Sequence, residues 1–219
     1  MKIGETIYLD HLATTPVDEH VLAEMAPYFT DAFGNPHSSD HAIGWAASRA
    51  VEVAAARVGR LIGADSDEIV FTSGATESNN LALLGLGRRI ATGSRRRVLI
   101  GRTEHKCVLA CARVLEEQLG LAVEHVPVDS DGFVLPRALQ ERLDDDVLVV
   151  SVMSVNNEIG TIQDIKTLAD LTRSIGAVFH CDAAQAPVAT DLRTIAEHVD
   201  MLSISAHKMH GPKGADSLY

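Results

Sequence analysis

Six short apolar runs, each separated from the next by a stretch of helical or turn character, constrain this chain more than any other feature. The runs are "EIVFTS" (68–73), "RVLIG" (97–101), "LAVEHVPV" (121–128), "VLVVSVM" (147–153), "AVFHCD" (177–182) and "DMLSIS" (200–205). A strand with one wet face alternates apolar and polar residues, whereas a strand covered on both faces reads as a continuous apolar run. Upstream of the first run, Ile43, Ala47, Ala50, Ala54, Val58 and Leu61 recur every three or four residues, the spacing of one helix face. A second helix is expected over 104–119, stopping at Gly120, and a third opens on Asp164 and closes on Gly176. Strands and helices in alternation predict an α/β fold with a mostly parallel sheet and helices on both faces. The 219 residues hold no internal repeat or linker, so the chain reads as an N-terminal arm (1–15) followed by one domain (16–219).

Charge narrows the partners. With 19 basic against 30 acidic residues the formal net charge is −11, which argues against a nucleic-acid or anionic-membrane surface. The basic triplet Arg95-Arg96-Arg97 is expected to solvate the loop before a strand. No run approaches membrane-spanning length, and the opening "MKIGETIYLDHLATTP" lacks the apolar stretch of a signal peptide. Three cysteines, Cys107, Cys111 and Cys181, give an odd count without framework spacing, which suits a reducing, cytoplasmic setting.

In a parallel sheet, ligands gather at the carboxyl ends of the strands, and these ends carry most of the chain's chemistry. After the first run, Gly74 permits a tight turn, and Ala75, Thr76 and Glu77 begin a helix whose free N–H groups favour an anion, with Ser73 and Thr76 hydroxyls beside it. His105 follows the second run, the Asn156-Asn157 pair and Glu158 the fourth, and Asp182 and Gln185 the fifth. The sixth ends in "SAHKMHGPKG", which places Lys208 between His207 and His210. Each has an ordinary explanation taken alone: a turn, a satisfied histidine, turn-forming amides, a helix cap, a lysine reaching into water. A desolvated lysine, however, is a Schiff-base former. Lysine, acid, imidazole and phosphate cradle on one sheet edge are the parts of a pyridoxal 5′-phosphate (PLP) site. The rival metal site, from His180, Cys181, His207, His210 and Cys107, matches no zinc spacing, and no metal is expected. No serine-hydrolase elbow or dinucleotide glycine fingerprint is present.

Seven segments, "YLDHLATTP", "FGNPHSSDHAIGW", "EIVFTSGATESNN", "TEHKCV", "VNNEIGTIQDI", "CDAAQ" and "SAHKMHGPKG", resemble in order and spacing the cysteine desulfurases of the NifS/IscS branch of the class V aminotransferases. The resemblance runs from Ile7 to Tyr219 and implies the large domain of a fold-type-I PLP enzyme. By matching position, Lys208 would hold the cofactor as a Schiff base. Asp182 would pair with the protonated ring nitrogen and Gln185 with the phenolic oxygen. His105 would stack on the ring and shuttle a proton. Ala75, Thr76, Ser205 and His207 would bind the phosphate, Asn157 would lie by the cofactor and the substrate carboxylate, and Ala13, Thr14 and Thr15 would approach the substrate.

The activity implied is conversion of L-cysteine to L-alanine, with sulfur passed to a protein cysteine as a persulfide and on to an acceptor or scaffold protein for iron–sulfur cluster or thiolation pathways. A homodimer is implied as well. Within the same family, a selenocysteine lyase or another class V aminotransferase or lyase is the alternative; outside it, a non-catalytic fragment serving as a dimerisation or sulfur-partner scaffold. Family members are considerably longer. Their small C-terminal domain, nucleophilic cysteine and carboxylate-gripping arginine are expected beyond Tyr219, so the large domain is expected to be incomplete, inactive alone and prone to pairing through exposed apolar surface. None of the three cysteines matches the nucleophile, and Cys107 and Cys111, four apart on a helix, are expected in the core. Asp216 departs from the family pattern, standing where a small apolar residue is usual.

Overall fold

The computed structural model describes residues 1–90 and 93–219. A small antiparallel pair, β1 (Lys2–Ile3) and β2 (Thr6–Ile7), stands apart from the main sheet. That sheet holds β3 (Val70–Thr72), β4 (Arg97–Gly101), β5 (Ala122–Val126), β6 (Val147–Ser151), β7 (Val178–Asp182), β8 (Met201–Ile204) and β9 (Asp216–Leu218), in the order β3-β9-β8-β7-β6-β4-β5. β5, β4, β6, β7 and β8 are mutually parallel, and β9 is antiparallel to both its neighbours. Since β3 also runs against β9, six strands share one direction and their carboxyl ends share one edge.

Period-two geometry sends neighbouring side chains to opposite faces. On β4, Leu99 joins the core shared with Phe179, Leu168, Leu192 and Ile195, while Val98 and Ile100 join Leu83, Val108 and Leu115 on the other side. The first layer is built by α2 (Ala42–Ile62), α5 (Pro136–Gln140), α6 (Ile165–Ser174) and α7 (Leu192–Ala196), and the second by α3 (Ala75–Ile90) and α4 (Lys106–Glu117). The expected two-sided parallel sheet is what the chain forms. A short α1 (Glu19–Met25) buries none of its residues.

Helix boundaries follow local chemistry. Asp164 caps α6 by accepting from the Thr167 amide at 3.1 Å, and Gly176 turns the chain away with φ +68°. α4 begins later than expected because His105 is its cap, its Nδ1 accepting from the Cys107 amide. The apolar runs at 68–73 and 121–128 do not become fully covered strands. β3 and β5 lie at the two edges of the sheet, and Val70 and Phe71 are exposed. The Arg95–Arg97 triplet is also not merely solvated: Arg95 donates to the carbonyls of Val147 and Ile175, both at 2.6 Å, and Arg97 pairs with Glu124 at 2.7 Å. β9 was not among the six runs. It inserts between β3 and β8, pairing Thr72 with Asp216 and Ile204 with Ser217.

Candidate active site

The carboxyl ends of β3, β7 and β8 open onto one cavity of about 440 Å³. Ala75, Thr76, His105, Asn157, Asp182, Gln185, Ser205, His207 and Lys208 all line it, although they come from five separate segments. Topology brings them together, because every strand that delivers one runs the same way.

Asp182 forms the floor. It is 3 % exposed, accepts from Asn79 Nδ2 at 2.8 Å and from the Ala184 amide at 3.0 Å, and burial raises its pKa above the usual carboxylate value. Asn79 is itself fully buried and leaves its Oδ1 without a partner. A second buried carboxyl, Glu104, lies next to His105 in sequence and accepts from the Met153 amide at 2.6 Å; burial holds its pKa well above the ordinary value.

Lys208 lines the same cavity. Its Nζ donates to the Leu12 carbonyl, and partial burial lowers its pKa, only partly opposed by the charges of Asp10, Asp182 and Asp216. Gln185 Nε2 donates to that same carbonyl at 2.8 Å. The N-terminal segment is therefore fixed over the site: the Thr15 amide donates to the His207 carbonyl at 2.9 Å, and the His207 Nδ1 lies 3.1 Å from Thr14 Oγ1. Burial and the neighbouring Lys208 lower the His207 pKa, so this imidazole is neutral at pH 7. Ala13 lines the cavity as well.

The turn into α3 puts Gly74 and the first residues of a sixteen-residue helix on the cavity wall, and a helix N-terminus favours negative charge. Thr72 Oγ1 and Ser78 Oγ, 2.7 Å apart, pin that helix start to β3. Two expected donors are already engaged. Ser73 gives both its amide (2.6 Å) and its hydroxyl (2.7 Å) to Glu77 Oε2, and the Ser205 hydroxyl donates to Asp216 Oδ2 at 3.0 Å.

The cysteines divide differently from expectation. Cys111 and Cys181 are buried, but Cys107 lines the cavity, its Sγ 2.9 Å from His105 Nδ1. Burial raises all three thiol pKa values, Cys111 to about 11, so none is a thiolate at neutral pH. His180, the centre of the rival metal reading, has both ring nitrogens within hydrogen-bond reach of serines, Ser151 at 2.8 Å and Ser203 at 3.1 Å. Sequence reasoning missed Asn79, Met153 and the engagement of Ser205 by Asp216; only the family departure at Asp216 carried a signal.

The chain is similar to known proteins in sequence and in fold. The chain is 46% identical over 213 residues to the cysteine desulfurase IscS of Rickettsia akari, a match covering 97% of this chain and 52% of that protein. It is 48% identical over 216 residues to a mitochondrial cysteine desulfurase of Drosophila melanogaster, covering 99% of this chain and 46% of that protein. Among solved structures, SspA in complex with cysteine superposes with TM-score 0.91 at 36% identity, covering 98% of this chain and 61% of that one. A NifS-like protein superposes with TM-score 0.93 at 37% identity, covering 97% of this chain and 58% of that one. The chain thus has the large-domain fold of the PLP-dependent fold-type-I enzymes and spans about half the length of the curated relatives it matches. Residues 7–219 match the aminotransferase class-V family model, and the chain belongs to that family.

Proposed function

We propose that this chain carries the cofactor site of a PLP-dependent cysteine desulfurase. The observation behind this reading is that Lys208, with its lowered pKa, and the buried carboxyl of Asp182 line one cavity beside a helix N-terminus. That donor set fits PLP: an amine for the aldehyde, an acid for the ring nitrogen and backbone N–H groups for the phosphate. Attached to Lys208, the cofactor supplies an electron sink for charge developing at the α-carbon of an amino acid.

The chain's own residues do the rest. Desolvation shifts Lys208 toward the neutral form that is nucleophilic, and as a free amine it is the proposed group to take a proton from the substrate α-carbon. Asp182, costly as an isolated buried anion, is stabilised once a cationic ring nitrogen faces it. His105 accepts the Cys107 amide at Nδ1, which leaves Nε2 as the nitrogen proposed to handle a proton. Gln185 and Asn157 line the same cavity, Gln185 as the proposed partner of a ring oxygen and Asn157 as the proposed contact of the cofactor and the substrate carboxylate. Ala75, Thr76, Ser205 and His207 are the proposed phosphate contacts. None of Cys107, Cys111 and Cys181 is the proposed sulfur-accepting thiol: burial raises the pKa of each and disfavours the thiolate.

L-Cysteine is the proposed substrate, a second copy of the chain the proposed partner in assembly, and a sulfur-accepting protein the downstream partner. Three free thiols suit a reducing compartment such as the cytoplasm, and no helix among the described residues is long and apolar enough to cross a membrane. The test is a visible spectrum of the purified chain with added PLP, for the wild type and Lys208→Ala. A Lys208-dependent absorbance band that changes on adding L-cysteine is the expected result. Identical spectra for the two proteins would sink the reading.

A further inference from the structure

The Asp216 carboxylate occupies an unexpected place. It is 3 % exposed, on a strand between β3 and β8, and it lines the same cavity as Lys208. Its Oδ1 accepts the Ala206 amide at 2.8 Å and its Oδ2 accepts the Ser205 hydroxyl at 3.0 Å. Oδ2 also lies 3.9 Å from where a β-carbon on Gly74 would stand, which puts it against the turn that opens α3. A backbone N–H and a serine hydroxyl on two oxygens, beside a helix start, is the way a protein holds an anion. Here the anion is the chain's own side chain.

We propose that Asp216 is a built-in competitor of the cofactor phosphate, so that this chain discriminates poorly between phosphorylated and unphosphorylated forms of the same ring aldehyde. The inference rests on the PLP reading of the site. Two effects act together. A phosphate at the α3 N-terminus would carry negative charge beside a fixed carboxylate, and like charges in a low-dielectric pocket repel strongly. The Ser205 hydroxyl has one proton, and Asp216 holds it, so a phosphate oxygen can accept it only after that bond breaks. Lys213 also lines the cavity, but it is exposed and its charge is screened by water. In this reading Lys208 is taken by the ring aldehyde, and the Nδ1 of His207 lies 3.1 Å from Thr14 Oγ1, which leaves only its Nε2 for a phosphate.

Asp216→Asn separates these effects from the structural role of the residue. The amide oxygen still accepts from Ala206, while its NH₂ group donates to the Ser205 oxygen and releases the serine proton toward the cavity. The ligands are PLP and 5′-deoxypyridoxal, which has the ring and aldehyde but no phosphate. Both are titrated by visible absorbance into the wild type and Asp216→Asn, with circular dichroism to verify folding. Asp216→Asn is expected to bind PLP about tenfold or more tighter and 5′-deoxypyridoxal unchanged. Equal PLP affinity for the two proteins, or weaker binding by the variant, overturns the proposal and leaves the cofactor reading standing. Should Asp216→Asn not fold, the wild type decides: a preference for PLP over 5′-deoxypyridoxal of about tenfold or less supports the proposal, and a larger one overturns it. If neither ligand gives a Lys208-dependent band with either protein, the cofactor reading fails and the proposal falls with it.

Discussion

Asp182 shows the tension between stability and chemistry in a single side chain. Its pKa lies above the usual 3.8 chiefly because it is buried, with Asn79 and the Ala184 amide partly offsetting that. The folded chain therefore binds this proton more tightly than the unfolded chain does. The carboxyl's contribution to stability is fully present at low pH and is lost as pH rises from the unfolded value through the raised folded one. Asp182→Asn removes that penalty. The buried Oδ1 of Asn79, which has no partner, can accept from the new amide after a flip of the Asn79 side chain. In the absence of PLP the variant is expected to be about 1–2 kcal/mol more stable than the wild type at pH 7, with the gap closing toward pH 4. Its affinity for PLP should fall about tenfold or more, because the ring nitrogen loses its anionic partner. Thermal melts across that pH range, paired with an absorbance titration, read both effects. A variant that melts below the wild type at every pH would show that the carboxylate is favourably solvated in place.

At the scale of elements, what could be read from the sequence follows from how much apolar surface each element buries. The strands of 97–101, 147–151, 178–182 and 201–204 and the helices of 106–117 and 165–174 bury continuous stripes and were visible as patterns. The helix of 42–62 was visible too, but the apolar face read from its spacing is not a buried stripe, since Ile43 is 56% and Leu61 48% exposed. β9 was invisible because "DSL" is three residues long with one apolar side chain, and only tertiary pairing on both edges makes it a strand. The site residues were legible because each follows an apolar run that ends abruptly. The bonds that engage Ser73 and Ser205 were not, since they depend on rotamers and on a strand that runs backward. β9 is nevertheless what joins β3 to β8, hence the α3 start to the Lys208 loop. A proline in a strand paired on both sides removes a ladder bond whichever neighbour it faced. Ser217→Pro should destabilise the fold by about 3 kcal/mol and abolish the Lys208-dependent band. Urea unfolding would check the first, and a variant within a few tenths of a kcal/mol of the wild type would mean that β9 is dispensable.

The whole molecule presents two opposing surface properties, a net charge of −11 and an apolar face around α1 and α2. Tyr28, Phe29 and Phe33 are 52%, 74% and 70% exposed, and Trp45 and Phe71 are 59% and 44% exposed. Tyr28, Phe33, Val51, Val53 and Phe71 line one groove of about 1020 Å³. Large aromatic side chains grouped in this way mark an interaction surface rather than the scattered apolar residues any protein shows. The charge would push two copies apart, and the apolar face would draw them together. Salt separates the two, because it screens the long-range repulsion and leaves apolar burial intact. In sedimentation equilibrium the chain should therefore exceed its monomer mass of 23.5 kDa at micromolar concentration, and the excess should grow as salt is raised. Association that weakens with salt would place complementary charges at the contact instead. A species of monomer mass at every concentration and ionic strength would mean that the α1–α2 face does not join copies of this chain.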